Sequence, residues 1–377
     1  MSKGMIKMKK VVIELIRSIT DGGAETLLKD YALLLNKNLF DVKVVTLFYQ
    51  PNSANYKILL KNNVKVYSLY NKWNFVTKGF NKVFGKIYVP YRLKKILDTE
   101  NAEVIHAHMT VLKYLKPISK ELFNCKLFYT CHSLPERYFS GMHKEEYECG
   151  KYLIKNNNLR LIGLHKDMAD ELNNMFNVKN TAVINNGIDF NRFKGIDTEK
   201  KEIRKKLGIP ENAFVLGHVG RFHPVKNHKF IVQVFEKLKE KKKNSFLLLV
   251  GDGDETNNIK KMLDERKLQN DYLILSNRTD IPEILKTMDV FIFPSIAEGL
   301  GIALVEAQVS GLRCIVSKNV PEAAYLTNLV IPLGLEDSIN SWVNAIVDDN
   351  MYGTYSGDLD SYDMNKEIKK LEQMYIN

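Results

Sequence analysis

Cysteine is scarce. Cys125, Cys131, Cys149 and Cys314 are scattered over 377 residues, with no C-x-x-C pair and no metal-ligand spacing. That scatter argues against a disulfide framework or a zinc module and fits reduced thiols in a cytoplasm. Long apolar runs are missing as well, so no segment reads as a bilayer span. The opening from Met1 to Lys10 is basic, but Val11-Val12-Ile13-Glu14-Leu15-Ile16 is short and holds an acid. It reads as a first strand, not an export signal. Serine-histidine nucleophile elbows, P-loops, kinase signatures and the G-x-G-x-x-G fingerprint are all lacking.

Acid is missing where base is plentiful. Val42 to Leu97 holds eleven Lys and Arg and no Asp or Glu, within a chain of net charge +11. Residues 1–190 carry 29 basic against 17 acidic side chains, and the remainder 26 against 27. Trp73, Phe75, Phe80, Val83, Phe84, Ile87, Tyr88 and Tyr91 are interleaved with these cations. Such a surface attracts anionic membranes or nucleic acid.

What is present is a repeated β/α alternation. Short β-branched runs are predicted as strands at 10–16, 42–48, 64–68, 103–107, 126–131, 159–163 and 181–184. Amphipathic stretches predict helices at 24–37, 54–62, 82–97, 110–123, 143–155 and 165–175. Asn185-Asn186-Gly187 then breaks the pattern, and a polar linker follows to about 200. A second alternation places strands at 213–219, 246–250, 272–275, 289–292 and 313–316. Its helices are expected at 228–242, 256–267, 281–287, 300–310 and 336–348. The reading is an α/β chain of two doubly wound, Rossmann-like domains, residues 1–188 and 189–350, with an interdomain cleft. The tail, 351–377, shows weak helical periodicity and either packs back on the first domain or is solvated.

The richest stretch is 293–311, where Glu298 and Glu306 flank the turn Gly299-Leu300-Gly301 at the start of an apolar helix. Free backbone amides at such a turn suit phosphates or sugar hydroxyls. Glu306 interrupts an otherwise apolar run, where a buried charge needs a partner. Arg221 and Lys226, five residues apart after a strand, could clamp a diphosphate. Gly22 and Gly23 follow the first strand and permit close approach of a ligand. His106 and His108 end one strand and His132 follows another, all able to donate to sugar hydroxyls or stabilise charge. As a metal pair, His106 and His108 find no third ligand at suitable spacing, so no metal site is expected. Asp252-Gly253-Asp254 reads as turn chemistry.

These motifs, in this order, resemble retaining glycosyltransferases of the GT-B, family 4 (group 1) type, over about residues 10–350. The residues that carry the likeness are Gly-Gly-Ala-Glu at 22–25, Thr-Cys-His-Ser at 130–133 and Val-Ile-Asn-Asn-Gly-Ile-Asp at 183–189. Gly220-Arg221 with Lys226, Leu-Val-Gly-Asp-Gly at 249–253 and the paired glutamates at 298 and 306 complete it. In style the chain looks most like exopolysaccharide or capsule enzymes. The resemblance implies that Arg221 and Lys226 hold the donor diphosphate and Glu306 the ribose. Glu298 with the amides of Gly299, Leu300 and Gly301 would hold the sugar, and backbone near Thr279 the base. Gly22, Gly23 and His108 would lie near phosphate or acceptor, and His132 would touch the donor sugar. The catalytic set implied is His132, Glu298, Arg221 and Lys226, with no metal and no cofactor beyond a nucleotide-sugar donor, in UDP form by family style. One departure is Arg313, where the family often has proline.

The partners expected are that donor, a saccharide or lipid-linked acceptor, and an anionic membrane surface met by the basic segment 57–95. Nucleic acid is not expected. The location implied is cytoplasmic and peripheral on the inner face of the membrane. Two other readings stay open: a UDP-sugar epimerase on the same architecture, and a non-enzymatic basic protein that binds nucleic acid but leaves Glu298 and Glu306 unexplained. A donor-binding subunit that supports a partner transferase is a further variant.

Overall fold

The computed structural model describes residues 9–71, 74–194 and 196–377. Trp73 and the basic start up to Met8 lie outside the described residues. The chain divides into two compact units, 1–186 with 365–377, and 187–364.

In the first unit the strands are β1 (Lys10–Ser18), β2 (Phe40–Phe48), β3 (Lys65–Tyr70), β4 (Val104–His108), β5 (Lys126–Thr130), β6 (Arg160–Gly163) and β7 (Ala182–Val183). They form one sheet in the order β3-β2-β1-β4-β5-β6-β7, and every pairing is parallel. Val12, Ile13, Leu15 and Ile16 are all buried, as a parallel strand covered on both faces requires. The order reverses between β1 and β4. Their register sets Glu14 opposite His106.

The second unit holds β8 (Phe214–Val219), β9 (Ser245–Val250), β10 (Tyr272–Leu275), β11 (Val290–Phe293), β12 (Arg313–Ser317) and β13 (Val330–Leu333). Their order is β10-β9-β8-β11-β12-β13, again parallel. Alternate residues of β9 feed opposite cores. Leu248 and Val250 join Phe291, Phe293 and Leu304 on one face, and Leu247 and Leu249 join Ile292 and Trp342 on the other. Each such aliphatic side chain contributes about 1.5–3 kcal/mol by leaving water.

Several elements depart from the sequence-based expectation for physical reasons. The helix Phe75–Glu100 begins seven residues earlier than expected, because Asn74 and Thr77 form a reciprocal capping box. Pro90 is accommodated inside it. The stretch 110–123 is no single helix: a turn at Leu112–Leu115 gives way to a 3-10 segment, Lys116–Leu122, with Pro117 at its start. The helix Lys200–Leu207 escaped prediction because its sequence is almost wholly charged. It is held by Arg204, 4% exposed, which donates to the carbonyls of Thr287, Glu211 and Ala213 and to Asp289. The unpredicted β13 contains Pro332, which is tolerated there because β13 is an edge strand.

The tail is split between the units. Residues 351–364 remain with the second, where Ile188 bridges Asp363. The helix Met364–Ile376 supplies the buried Ile368, Leu371 and Tyr375, and from Asn365 it belongs to the first. Among the described residues no helix is long and apolar enough to cross a membrane.

Candidate active site

The reversal of strand order in the second unit lies between β8 and β11, where a doubly wound sheet opens a crevice at its carboxyl edge. The loops that leave these two strands carry the residues singled out above. After β8 come Gly220 and Arg221, then a short 3-10 turn, Pro224–Lys226, leading into the helix His228–Lys241. After β11 come Pro294 to Gly301, then the helix Ile302–Val309. The amide of Ile296 donates to the carbonyl of Val225 at 2.8 Å, which ties the two loops together. Lys226 and Glu298 meet as a consequence, with Nζ 2.6 Å from Oε1 and side chains 18% and 9% exposed. The Lys226 ammonium also stands over the Phe293 ring, 5.1 Å from its centroid.

Gly301 caps the helix at φ +88, in left-handed backbone, and a Cβ there would lie 3.0 Å from Phe293. Glycine is what lets the chain turn beneath the amides of Gly299 to Gly301. The side chain of Leu300 is core, 2% exposed, so only its backbone can serve a ligand. Glu306 is partly exposed, not buried, while Leu304, Val305 and Ala307 around it are buried. The carboxylate therefore emerges at the rim of an apolar helix. Arg221 is exposed.

The loop after β9 packs directly on this region. The amide of Phe222 donates to the carbonyl of Asp252, and a Cβ on Gly251 (φ +148) would fall 2.0 Å from the Gly220 carbonyl oxygen. Asp252 itself accepts from the amide of Gly253 and the hydroxyl of Thr256, so its role is that of a turn residue. Thr279 is exposed and its carbonyl accepts from Arg192 at 3.2 Å, beside the ion pair Arg278–Asp280. Beneath the loops His218 and His228 are buried with ring centroids 4.9 Å apart. His218 Nδ1 donates to the carbonyl of Ile292, but among the described residues His218 Nε2 and both nitrogens of His228 have no hydrogen-bond partner. Burial, with the Lys226 charge adding to it, pushes His228 down to about 4.

In the first unit the loop after β1 is held by Asn55, whose amide donates to Asp21 and whose side chain donates to the Thr20 carbonyl. Gly22 caps the helix Gly23–Leu34 in extended backbone, and the space around Gly23 is open. His132 is partly exposed. His108 is not: it is fully buried, its Nε2 2.8 Å from Glu14 and its Nδ1 2.9 Å from His132 Nε2. The expectation that His108 lies against phosphate or acceptor is thereby corrected. Its two nitrogens are consumed by protein. His106, also buried, bonds Thr130 and Tyr375.

Sequence spacing offered no third ligand beside His106 and His108, yet the fold brings one. Glu14 joins them across the β1–β4 register, and the three ligand-type atoms lie within 4.8 Å of one another. Every ring nitrogen of the two histidines is already hydrogen-bonded to Glu14, Thr130, Tyr375 or His132, so the cluster is a closed network. Glu14 and Tyr375 are the functional candidates that the sequence reading missed. The available signal for Glu14 was a lone acid inside an apolar strand.

Comparison with known proteins identifies the chain. Residues 199–334 match the model for glycosyl transferases group 1, and residues 21–192 the model for glycosyltransferase family 4. The chain belongs to this glycosyltransferase family. It is 28% identical over 348 residues to the putative glycosyltransferase EpsF of Bacillus subtilis, covering 91% of this chain and 88% of that one. It is 29% identical to the UDP-Gal:alpha-D-GlcNAc-diphosphoundecaprenol alpha-1,3-galactosyltransferase of Escherichia coli, over 76% of this chain and 78% of that one. In fold it is similar to Anabaena HepE, solved in complex with UDP and glucose. The TM-score is 0.76 at 19% identity, over 98% of this chain and 100% of that one. As a glycosyltransferase of the GT-B fold, the protein carries two parallel-sheet Rossmann-like units of seven and six strands among the described residues.

Proposed function

We propose that this glycosyltransferase moves a hexose or N-acetylhexosamine from a UDP-sugar to a saccharide or lipid-linked saccharide acceptor, with retention of anomeric configuration, in envelope or exopolysaccharide synthesis. The observation that carries the reading is the meeting of Lys226 with Glu298 at the strand-order reversal, beside Arg221 and the Gly301 turn. The names of the B. subtilis and E. coli relatives, and the UDP bound by HepE, support the substrate class.

In this mechanism the bond between the anomeric carbon and the diphosphate oxygen breaks as the acceptor oxygen bonds to the same face of the sugar. The transition state is oxocarbenium-like, and the acceptor proton passes to the departing phosphate. The largest developing charge is on the diphosphate. Arg221, Lys226 and the amides of Gly299 to Gly301 stabilise it without a metal. Glu298 holds hydroxyls of the sugar and Glu306 those of the ribose. Backbone near Thr279 meets the base, Gly22 and Gly23 lie by phosphate or acceptor, and His132 touches a saccharide hydroxyl.

The basic segment 57–95 gives the enzyme its place at an anionic membrane. Phe75, Val76, Val83, Ile87 and Tyr91 of the helix Phe75–Glu100 are 65–91% exposed, with the exposed lysines Lys78, Lys82 and Lys86 among them. Apolar side chains that insert and cations that attract lipid headgroups are the two signals such attachment needs.

Incubation with a panel of UDP-sugars, with and without a diphosphate-lipid-linked saccharide, tests the reading. UDP release that requires acceptor, and a product NMR spectrum showing the donor's own anomer, are the expected results. Conversion of UDP-sugar to its epimer without acceptor, or an inverted product, would overturn it.

A further inference from the structure

Glu14 stands in the middle of β1 with none of its surface exposed, a position where a carboxylate persists only among donors. The fold supplies them. His108 Nε2 lies 2.8 Å from Glu14 Oε2, and the Tyr375 hydroxyl donates to Oε1 at 3.1 Å. A carboxylate only accepts, so His108 carries its proton on Nε2. A neutral imidazole has one N–H, which leaves His108 Nδ1 as an acceptor. His132 Nε2, 2.9 Å away, must then donate to it. The same count leaves His132 Nδ1 with a bare lone pair, and no protein partner for that atom is found among the described residues.

Supporting this assignment, burial and the adjacent His106 lower His108 to about 4 against the pull of Glu14. Burial with both neighbouring histidines lowers His132 well below its ordinary range. Burial alone would raise Glu14, but the neighbouring His106 and the bond from His108 hold it at about 2. The directions of these shifts favour an ionised carboxylate and neutral His108 and His132.

We propose that Glu14, acting through His108, fixes His132 as an Nε2-protonated imidazole whose Nδ1 accepts a hydrogen bond from a hydroxyl of the bound saccharide. Glu14 and His108 are positioning residues; His132 is the group that meets substrate. The sign of the interaction follows from the chain. His132 selects a hydroxyl that can donate and disfavours an O-methyl or fluoro substituent at the same carbon, which can only accept. This rests on the proposed function for the saccharide itself, whereas the tautomer rests on the network and on His108 being neutral.

Long-range 1H–15N correlation of the full chain, labelled with 15N-histidine, reads the tautomer directly. Loss of one spin system in His132→Ala assigns the signal. Wild-type His132 is expected with Nε2 protonated and Nδ1 bare at pH 7.5, and this needs no variant at position 14. In Glu14→Gln the new amide can donate to His108 Nε2 and reverse the chain, so His132 should shift toward an Nδ1–H form. Its kcat should fall about 10- to 100-fold while the donor KM changes less than about 3-fold. Tyr375→Phe removes the other donor to Glu14 and should leave the His132 tautomer in place. His132→Asn, which returns an oxygen acceptor near Nδ1, should keep more activity than His132→Ala. A wild-type His132 that is protonated on Nδ1, or charged, overturns the proposal. So does a Glu14→Gln enzyme with unaltered tautomer and kcat. Wild-type protein that shows the expected tautomer but transfers no sugar would instead overturn the proposed function.

Discussion

Removing the Glu298 charge should tighten UDP and cripple sugar transfer at once. In the free enzyme the Lys226 ammonium is engaged by Glu298 at 2.6 Å, in a site where the two side chains are 18% and 9% exposed. A diphosphate must compete with that carboxylate for the ammonium and suffers its repulsion. At the effective dielectric of a half-buried site, unit charges 4 Å apart interact by about 4 kcal/mol, and desolvation cancels much of this. A net gain of about 1 kcal/mol for Glu298→Gln corresponds to UDP bound about 5-fold tighter. The sugar loses a hydrogen bond to a charged group, about 1.5–3 kcal/mol, so kcat/KM for the UDP-sugar should drop about 10- to 100-fold. Lys226→Ala has the opposite signature. UDP should weaken about 10- to 100-fold, and the stranded Glu298 carboxylate should lower the melting temperature. Titration calorimetry with UDP, alongside steady-state transfer, separates the two. Equal loss of UDP affinity in both variants would refute the division of labour between lysine and glutamate.

Three further outcomes are expected. The folded pKa of His228 lies at about 4, below its ordinary 6.5, so the unfolded chain binds the proton more tightly and stability is lost as pH falls below 6.5. The loss reaches about 2 kcal/mol by pH 5; in urea melts, His228→Leu should show a weaker acid dependence, and an unchanged pH slope would contradict the assignment. Gly301→Ala forces a Cβ into left-handed backbone 3.0 Å from Phe293. A cost of about 1–2 kcal/mol and a lower calorimetric melting point are expected, and a wild-type melting point would show that the turn tolerates a side chain. Replacing Lys78, Lys82 and Lys86 by Glu should weaken sedimentation with anionic liposomes more than 100-fold, each cation contributing about 1 kcal/mol. Lys86 is also paired with Glu145 at 2.6 Å, a surface pair that the substitution removes, and undiminished liposome binding would remove the membrane assignment.

Both sheets were legible in the sequence because parallel strands buried on two faces are short continuous apolar runs, as in Phe246 to Val250, and their flanking helices keep a 3.6-residue period. The loops after β8 and β11 were legible too, since glycine, cation and carboxylate stand out against apolar surroundings. What hid were elements stabilised by distant partners. The charged helix Lys200–Leu207 depends on the Thr287 carbonyl and the Asp289 carboxylate, 83 and 85 positions from Arg204. The edge strand with Pro332 carries no local signature, and the docking of Tyr375 on His106 joins residues 269 positions apart. The burial of His108 was illegible for the same reason: its partner Glu14 is fixed by strand register, which no single strand reveals.

The central claim is that the loops after β8 and β11 grip the pyrophosphate of an activated sugar. Calorimetric titration of UDP into wild-type enzyme and into Arg221→Ala/Lys226→Ala tests it most directly. The account predicts saturable binding to the wild type and at least about 100-fold weaker binding to the double variant, each lost charge-assisted bond counting about 1.5–3 kcal/mol. Equal affinity in the two proteins would contradict it.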